Sequence, residues 1–227
     1  MRFPDKLLLP HGMKAPKWIR MKVSSPKENI LKKIRQALSN PVPVPFPHSE
    51  GSNSIFLNPG ELEVKFAEEF SALQGKFLYC ASTEELLDGL KGLVQARKWK
   101  IFCREDALRS LFSPLELTYT DDLGGSGASL TGCEFLVART GSILMSSAQQ
   151  SGRTASVYAP VHLCIAYTDQ LVYDIKEGLG KIKEKYPNQL PSLITLASGP
   201  SRTADIEKTL VIGIHGPKEV FVFLVER

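Results

Sequence analysis

From Pro59 onward, the hydrophobic positions alternate between the spacing of amphipathic helices and that of buried strands. Leu62, Phe66, Phe70 and Leu73 recur every three or four residues, which predicts a helix, and the apolar run KFLYC then predicts a strand. The alternation continues with the helix STEELLDGLKGLVQARK, the strand KIFC, the short helix REDALRSLF and the short strand LELTY. This order favours an α/β domain with an open, mostly parallel sheet flanked by helices.

The second half of the chain is richer in strands. The segments EFLVA, SILMS, VHLCIAY, LITLA, LVIGI and VFVFLV have strand-like composition. Between them, YTDQLVYDIKEGLGKIKEKYP predicts one amphipathic helix that ends at Pro187. Gly216 and Pro217 separate the last two apolar runs, and such turn residues predict a C-terminal β-hairpin.

The chain before residue 49 has a different character from the α/β domain of residues 49–227. Residues 1–24 are predicted to form a flexible basic arm. Residues 25–48 predict a helix, with a capping box at its start, followed by a linker with four prolines that favours an extended conformation. We therefore expect this helix to be tethered to the α/β domain through the linker.

Charge and cysteine content exclude several classes of function. Residues 1–40 hold ten Lys and Arg against two Asp and Glu, whereas the remainder holds eighteen against twenty-two and is slightly acidic. The body has no basic stripe with interleaved aromatic residues, so we expect no nucleic-acid binding. It has no apolar run of membrane-spanning length. The four cysteines are 23, 30 and 31 residues apart without a C-x-x-C pair, so we expect no metal or cofactor bound by this chain and a reducing, cytoplasmic location.

The segment SGPSRTADIE is the strongest candidate ligand loop. It predicts a strand end, a tight loop and a helix N-terminus whose free N–H groups would bind an anion, with Arg202 reinforcing the positive charge. Capping alone would explain Ser201 and Thr203, but not Arg202. The candidate ligand-binding residues of this loop are Ser198, Gly199, Ser201, Arg202, Thr203 and Asp205.

Further candidates lie beside predicted strands. Glu134 precedes one strand, and Thr140 and Gly141 follow it, at the kind of position where open α/β sheets bind ligands. His162 and His215 each adjoin an apolar run, where a single His is more often structural than catalytic. Ser201, His215 and Asp205 could form a triad, but no G-x-S-x-G elbow supports one.

Four segments together resemble one known family: TGCEFLVARTGSILM, APVHLCIAY, SGPSRTADIE and GIHGPKEVFVFLVE. They are similar to the lactate utilization protein C family, the LUD-domain proteins, over about residues 25–227. The resemblance carries over to Thr140, Gly141, His162, residues 198–205 and residues 215–217, which include Gly216. It implies a fold like that of sugar-phosphate isomerases and CoA-transferases. Two positions depart from the family, which usually has Ala at position 133 and an acidic residue at 139, where this chain has Cys133 and Arg139.

The resemblance also implies a function. Family members act in the cytoplasm with two iron–sulfur partner proteins that oxidise L-lactate to pyruvate. We therefore expect a non-metal subunit of such a system, with the iron–sulfur clusters on partner subunits and a small anionic metabolite as ligand. The alternative is a stand-alone enzyme or binding protein for a phosphorylated or carboxylate metabolite, and whether this chain is itself an enzyme stays open.

Overall fold

The computed structural model describes residues 26–38, 60–203, 211–213 and 215–227. The chain divides into two units, Met1–Ile55 and Phe56–Arg227. Helix α1, Pro26–Leu38, is the described part of the first unit, and it occupies the segment in which the sequence predicts a helix. All other described elements belong to the second unit.

The second unit alternates helices and strands along most of its length. Its helices are α2 (Leu62–Ala72), α3 (Thr83–Arg97), α4 (Asp106–Leu111), α5 (Ala155–Tyr158) and α6 (Ile175–Lys185). Its strands are β1 (Lys76–Cys80), β2 (Ile101–Phe102), β3 (Ala128–Thr131), β4 (Phe135–Val137), β5 (Ser142–Ser146), β6 (Val161–Tyr167), β7 (Leu171–Val172), β8 (Ile194–Ala197), β9 (Arg202–Thr203), β10 (Val211–Ile212) and β11 (Glu219–Val225).

The main sheet has five strands in the order β1-β11-β6-β3-β2, and every neighbouring pair is parallel. Strands β6 and β11 lie inside the sheet and are almost wholly buried, which is why VHLCIAY and EVFVFLV are nearly continuous apolar runs. Helix α3 covers one face, where Leu86 and Leu90 belong to the same core cluster as Phe223. The predicted α/β class with a mostly parallel sheet is confirmed.

The other face of the main sheet packs against a second sheet and α2. Successive side chains of a strand point to opposite faces, so Val222 and Leu224 of β11 lie opposite Phe223 and join the core cluster of Phe66 and Phe70 from α2. The second sheet has the order β7-β4-β5-β8 and contributes Ile143 to the same cluster. Helix α6 covers its outer face, where Ile182 packs on Val137, Leu144 and Val172.

The C-terminal strand is present, but the predicted C-terminal hairpin is wrong. Strand β10 pairs with β9 in an antiparallel ribbon, whereas β11 pairs in parallel with β1 on one side and β6 on the other. Both edges of β11 are therefore occupied, and no edge is left for β10. The turn residues Gly216 and Pro217 separate strands of two different sheets.

Two further predicted elements are shorter than expected. The helix predicted from Tyr167 begins only at Ile175, because Leu171–Val172 pairs with β4 as a strand and the Asp174 carboxylate caps the helix by accepting the Glu177 N–H at 3.0 Å. The predicted strand LELTY is reduced to one bridge between Tyr119 and Ile101.

No helix within the described ranges combines the length and the apolar character that crossing a bilayer requires.

Candidate functional site

A cleft opens where the parallel strands of the main sheet end. Because all five strands run in the same direction, the segments that follow β2, β3 and β6 meet at one edge, which is the edge where open α/β sheets bind ligands. The cleft has a volume of about 560 Å³. We call it the carboxyl-edge cleft, and its polar lining includes Glu105, Cys133, Gln170, Lys185 and Tyr186.

A buried carboxylate supports one wall of the cleft. The side chain of Glu134 is fully buried and accepts hydrogen bonds from Lys185 Nζ at 2.8 Å, Ser146 Oγ at 2.6 Å and Tyr186 Oη at 2.9 Å. Burial alone would raise the pKa of Glu134, but these three donors outweigh it and the pKa is lowered. Glu134 is therefore ionised at neutral pH, and we call these four residues the Glu134 cluster.

Lys185 is the cationic member of the Glu134 cluster, and it lines the cleft together with Tyr186. Burial lowers the pKa of Lys185, yet the hydrogen bond and charge of Glu134 outweigh that effect, so the pKa is raised. Its side chain is 54% exposed. An ammonium group has three donors, and Glu134 occupies one of them. Lys185 is thus a fixed positive charge with donors left for an anion.

A second carboxylate, Glu105, lines the same cleft, and its pKa is shifted in the opposite direction. The Gly132 N–H donates to both of its oxygens, at 3.1 and 3.0 Å, and a Cβ atom at position 132 would lie only 3.0 Å from Oε2. Burial raises the pKa of Glu105, the Ser151 hydroxyl and the Gly132 N–H lower it, and the charge of Glu134 raises it further; the net shift is upward. Glu105 therefore accepts a proton more readily than a free glutamate.

Gln170 holds the loop between these two carboxylates in place. Its Nε2 donates to the Cys133 carbonyl at 2.7 Å, and its Oε1 accepts the Tyr167 N–H at 2.9 Å. The end of β6 is thereby tied to the segment that follows β3. This bracing fixes the backbone that carries Gly132 and Glu134.

The structure distributes the sequence-predicted site residues over three places, and only Glu134 supports the carboxyl-edge cleft. A second group lies near the end of α2. There Ser142 Oγ is 2.8 Å from Thr140 Oγ1 and 2.7 Å from Ser198 Oγ, and we call these three residues the hydroxyl cluster. The contacts of the hydroxyl cluster are internal to the protein.

Two glycines and an arginine complete this second group. Gly141 has φ +56°, and a Cβ atom there would lie 2.5 Å from the Phe70 nitrogen, while one at Gly199 (φ +75°) would lie 2.6 Å from the Leu73 oxygen. Arg202 donates from Nη2 to the same Leu73 carbonyl at 2.5 Å. The glycines therefore allow close backbone packing against α2.

The third group lies around the amino ends of strands β6 and β11. His162 is buried and lies 2.8 Å from Thr131 Oγ1 through Nε2, and burial lowers the pKa of His162 to about 4, so its ring is neutral at physiological pH. The backbone of Ser201 donates to the Pro217 carbonyl at 2.9 Å. His215 and Gly216 line a separate cavity of about 370 Å³.

The last two candidates of the SGPSRTADIE loop have different outcomes. Thr203 lies in strand β9, and its backbone pairs with Val211. Asp205, and the helix predicted to begin at this loop, fall outside the described residues. The ligand-binding roles assigned to the loop from the sequence stay predictions.

The cleft residues that were missed by sequence reasoning include Glu105, Lys185 and Tyr186. Glu105 carried a usable signal, because it follows the strand KIFC much as Glu134 follows β3. The sequence gives no such signal for Lys185 and Tyr186, because they lie at the end of a charged amphipathic helix. They contact Glu134 although they are 51 and 52 positions away from it in the sequence.

The fold and the cleft define an α/β protein with a ligand-sized site at the carboxyl edge of a parallel sheet. Residues 116–225 match the sequence model of the LUD domain family. The resemblance seen in the sequence motifs is therefore confirmed.

Several known protein sequences are similar to this chain. A lactate utilization protein C of Deinococcus radiodurans is 34% identical over 105 residues, which are 46% of this chain and 49% of that protein. A lactate utilization protein C of Bacillus subtilis is 29% identical over 102 residues, which are 44% of this chain and 42% of that protein. An uncharacterized protein of Neisseria meningitidis is 33% identical over 98 residues, 43% of this chain and 42% of that protein. The matches thus span less than half of each relative.

One solved structure shares the fold. The crystal structure of a DUF162 family protein from Deinococcus radiodurans superimposes with a TM-score of 0.54 over 74% of this chain and 99% of that chain. The two sequences are 19% identical over the superposition. At that identity, the likeness concerns the fold alone.

Proposed function

We propose that this protein takes part in lactate utilization and that its carboxyl-edge cleft binds a small carboxylate of the L-lactate or pyruvate type. One observation carries the proposal. The segment that matches the LUD domain family, residues 116–225, contains the whole Glu134 cluster, and relatives of this chain bear the name lactate utilization protein C. The similarity therefore falls on the part of the chain that supplies the fixed cation.

The electrostatics of the cleft suit such a ligand. The Lys185 ammonium keeps donors for an incoming carboxylate, and a charge-assisted hydrogen bond contributes about 1.5–3 kcal/mol. The volume of about 560 Å³ lies within the range of small-molecule sites. Glu134 holds Lys185 in place before the ligand arrives, so little side-chain entropy is lost on binding.

We further propose that the iron–sulfur chemistry belongs to partner subunits. The family resemblance implies two iron–sulfur partner proteins, and the spacing of the four cysteines in this chain is not that of a cluster-binding motif. In the structure, all four are free and buried. The cytoplasmic location inferred from the sequence stays a prediction.

Ligand binding is tested by calorimetry and thermal shift with L-lactate, pyruvate, ribose 5-phosphate and CoA. We expect L-lactate or pyruvate to bind, and Lys185→Gln to weaken that binding by roughly tenfold or more. Lys183→Gln is the matched control, because Lys183 is exposed on the same helix. Equal affinity in both variants would contradict the assignment of Lys185.

The subunit role is tested by affinity purification of the full chain from its native extract. We expect iron–sulfur proteins to copurify and deletion of the gene to impair growth on L-lactate. Recovery of the chain alone, together with normal growth on lactate and a thermal shift with a phosphorylated metabolite, would favour the stand-alone alternative.

A further inference from the structure

Glu105 occupies a site that is built for a carboxyl group. It precedes α4 but does not cap that helix with its side chain. The carboxylate instead reaches the end of a neighbouring strand, where the Gly132 N–H donates to both oxygens. A larger residue at position 132 would press on Oε2, because a Cβ atom there would lie 3.0 Å away. The fold thus directs this side chain into the carboxyl-edge cleft.

The charge around Glu105 disfavours a second anion nearby. Glu134, which stays ionised, already acts on Glu105 through its charge. A carboxylate ligand on Lys185 would enter the same cleft. Two carboxylates that share a site cannot both stay ionised at low cost, and one of them takes a proton.

We propose that Glu105 is a ligand-binding residue that acts in its protonated form, so that the cleft takes up one proton together with each small carboxylate. This inference rests on the proposed function of the cleft. The protonated group donates its O–H to the ligand carboxylate, while its other oxygen keeps the hydrogen bond from Gly132. Burial of Glu105 already favours its protonated form in the free protein, since the pKa is raised.

We assign the proton taken up with the ligand to Glu105 after considering the other groups around it. The charged or titratable side chains around it are Cys103, Cys133, Glu134, Cys164, Tyr167, Asp169, Lys185, Tyr186 and Arg227. Glu134 has a lowered pKa, and Lys185 and Tyr186 have raised ones, so none of these three changes charge between about pH 5 and about pH 8. On α4 itself, Arg109 is directed away to the Cys103 carbonyl, to which Nε donates at 2.7 Å.

The test is a calorimetric titration of the full chain with pyruvate and with L-lactate. At each pH, two buffers with different ionisation enthalpies give the number of protons taken up per ligand. We expect an uptake approaching one proton, and an affinity that falls by about tenfold per pH unit above the pKa of Glu105.

Two variants assign the proton. Glu105→Gln keeps an oxygen for the Gly132 N–H and an amide donor for the ligand but cannot titrate, so we expect binding to persist with no proton uptake and a flat pH profile. Glu184→Gln is the control, because Glu184 is an exposed glutamate on α6, and it should behave as the wild type does.

The outcomes separate this inference from the proposed function. Binding of either ligand without proton uptake overturns the role of Glu105 and leaves the proposed function intact, as does an unchanged uptake in Glu105→Gln. A folded wild type that binds neither ligand overturns the proposed function itself. If Glu105→Gln does not fold, the wild-type proton count alone decides.

Discussion

The carboxyl-edge cleft and the region near the end of α2 use polar residues in opposite ways. In the cleft, Lys185 and Glu105 are each held by hydrogen bonds to the protein and also line open volume. Near α2, the hydroxyl cluster and Arg202 direct their hydrogen bonds to each other or to backbone carbonyls. The sequence motifs are densest in the region near α2, whereas the charged groups that can still bind a ligand lie in the cleft. A motif-rich loop can therefore serve packing while a site lies elsewhere.

The largest expected effect tests the packing near α2. Gly141→Ala places a Cβ atom 2.5 Å from the Phe70 nitrogen at a positive φ, so backbone strain and overpacking add. We expect the free energy of unfolding to fall by about 2–4 kcal/mol in urea denaturation. Gly152→Ala is the control, since Gly152 has φ +67° with nothing within 4 Å, and strain alone should cost about 1–2 kcal/mol. Equal losses in the two variants would show that close packing at Gly141 contributes nothing.

The next effect concerns Glu134 and depends on pH. Glu134→Gln removes the charge that Lys185, Ser146 and Tyr186 bind, so we expect a loss of about 1.5–3 kcal/mol at pH 7, nearer the lower value because Lys185 is half exposed. The pKa of Glu134 is lowered from 4.5 on folding, so its stabilisation is complete above that pH and is lost as the pH falls through the folded value.

Denaturation of Glu134→Gln at several pH values tests this sign. The difference from the wild type should shrink in acid. Glu105→Gln should show the reverse, because the pKa of Glu105 is raised on folding and its ionised form destabilises the protein as the pH rises. The same trend in both variants would contradict the opposite roles assigned to the two carboxylates.

A smaller effect is expected in the hydroxyl cluster. Ser198→Ala removes the partner that lies 2.7 Å from Ser142 Oγ, and we expect a loss of about 0.5–1.5 kcal/mol. Binding of pyruvate in the cleft should be unchanged. If binding is weakened while the melting temperature stays constant, the cluster contacts ligand and the contrast between the two regions fails.

The smallest effect is expected for Arg202→Ala. Arg202 is exposed and bonds the Leu73 carbonyl, so we expect a loss of at most about 1 kcal/mol by thermal denaturation. The sequence-based prediction for this loop is weaker anion binding with an intact fold. Calorimetry with phosphate and pyruvate on the same variant decides between a packing role and a ligand role, and Arg104→Ala serves as an exposed control.

The sequence predicts those features that depend on local pattern. The buried strands β6 and β11 follow from their apolar runs, and the N-cap of α3 follows from Ser82 and Glu85, whose backbone N–H donates to Ser82 Oγ at 3.3 Å. The pairing of β10 does not follow from local pattern, because a turn sequence does not reveal which strand occupies each edge of β11. Glu134 was predicted from its place just before a strand, whereas its partner Lys185 depends on the docking of α6 on the second sheet.

The placement of β11 has a consequence for the order of events during synthesis. Within the described sheet, β1 has β11 as its neighbour. The side chains of Lys76 and Glu219 form an ion pair at the start of these strands, and the two residues are 143 positions apart. At about 5–20 residues per second, a ribosome needs roughly 7–30 seconds to make the chain between them. Throughout that interval the nascent β1 lacks the strand that pairs with it. The main sheet is therefore completed only after β11 has been synthesised, and its long-range pairing favours slow folding, during which chaperones can bind the open edge.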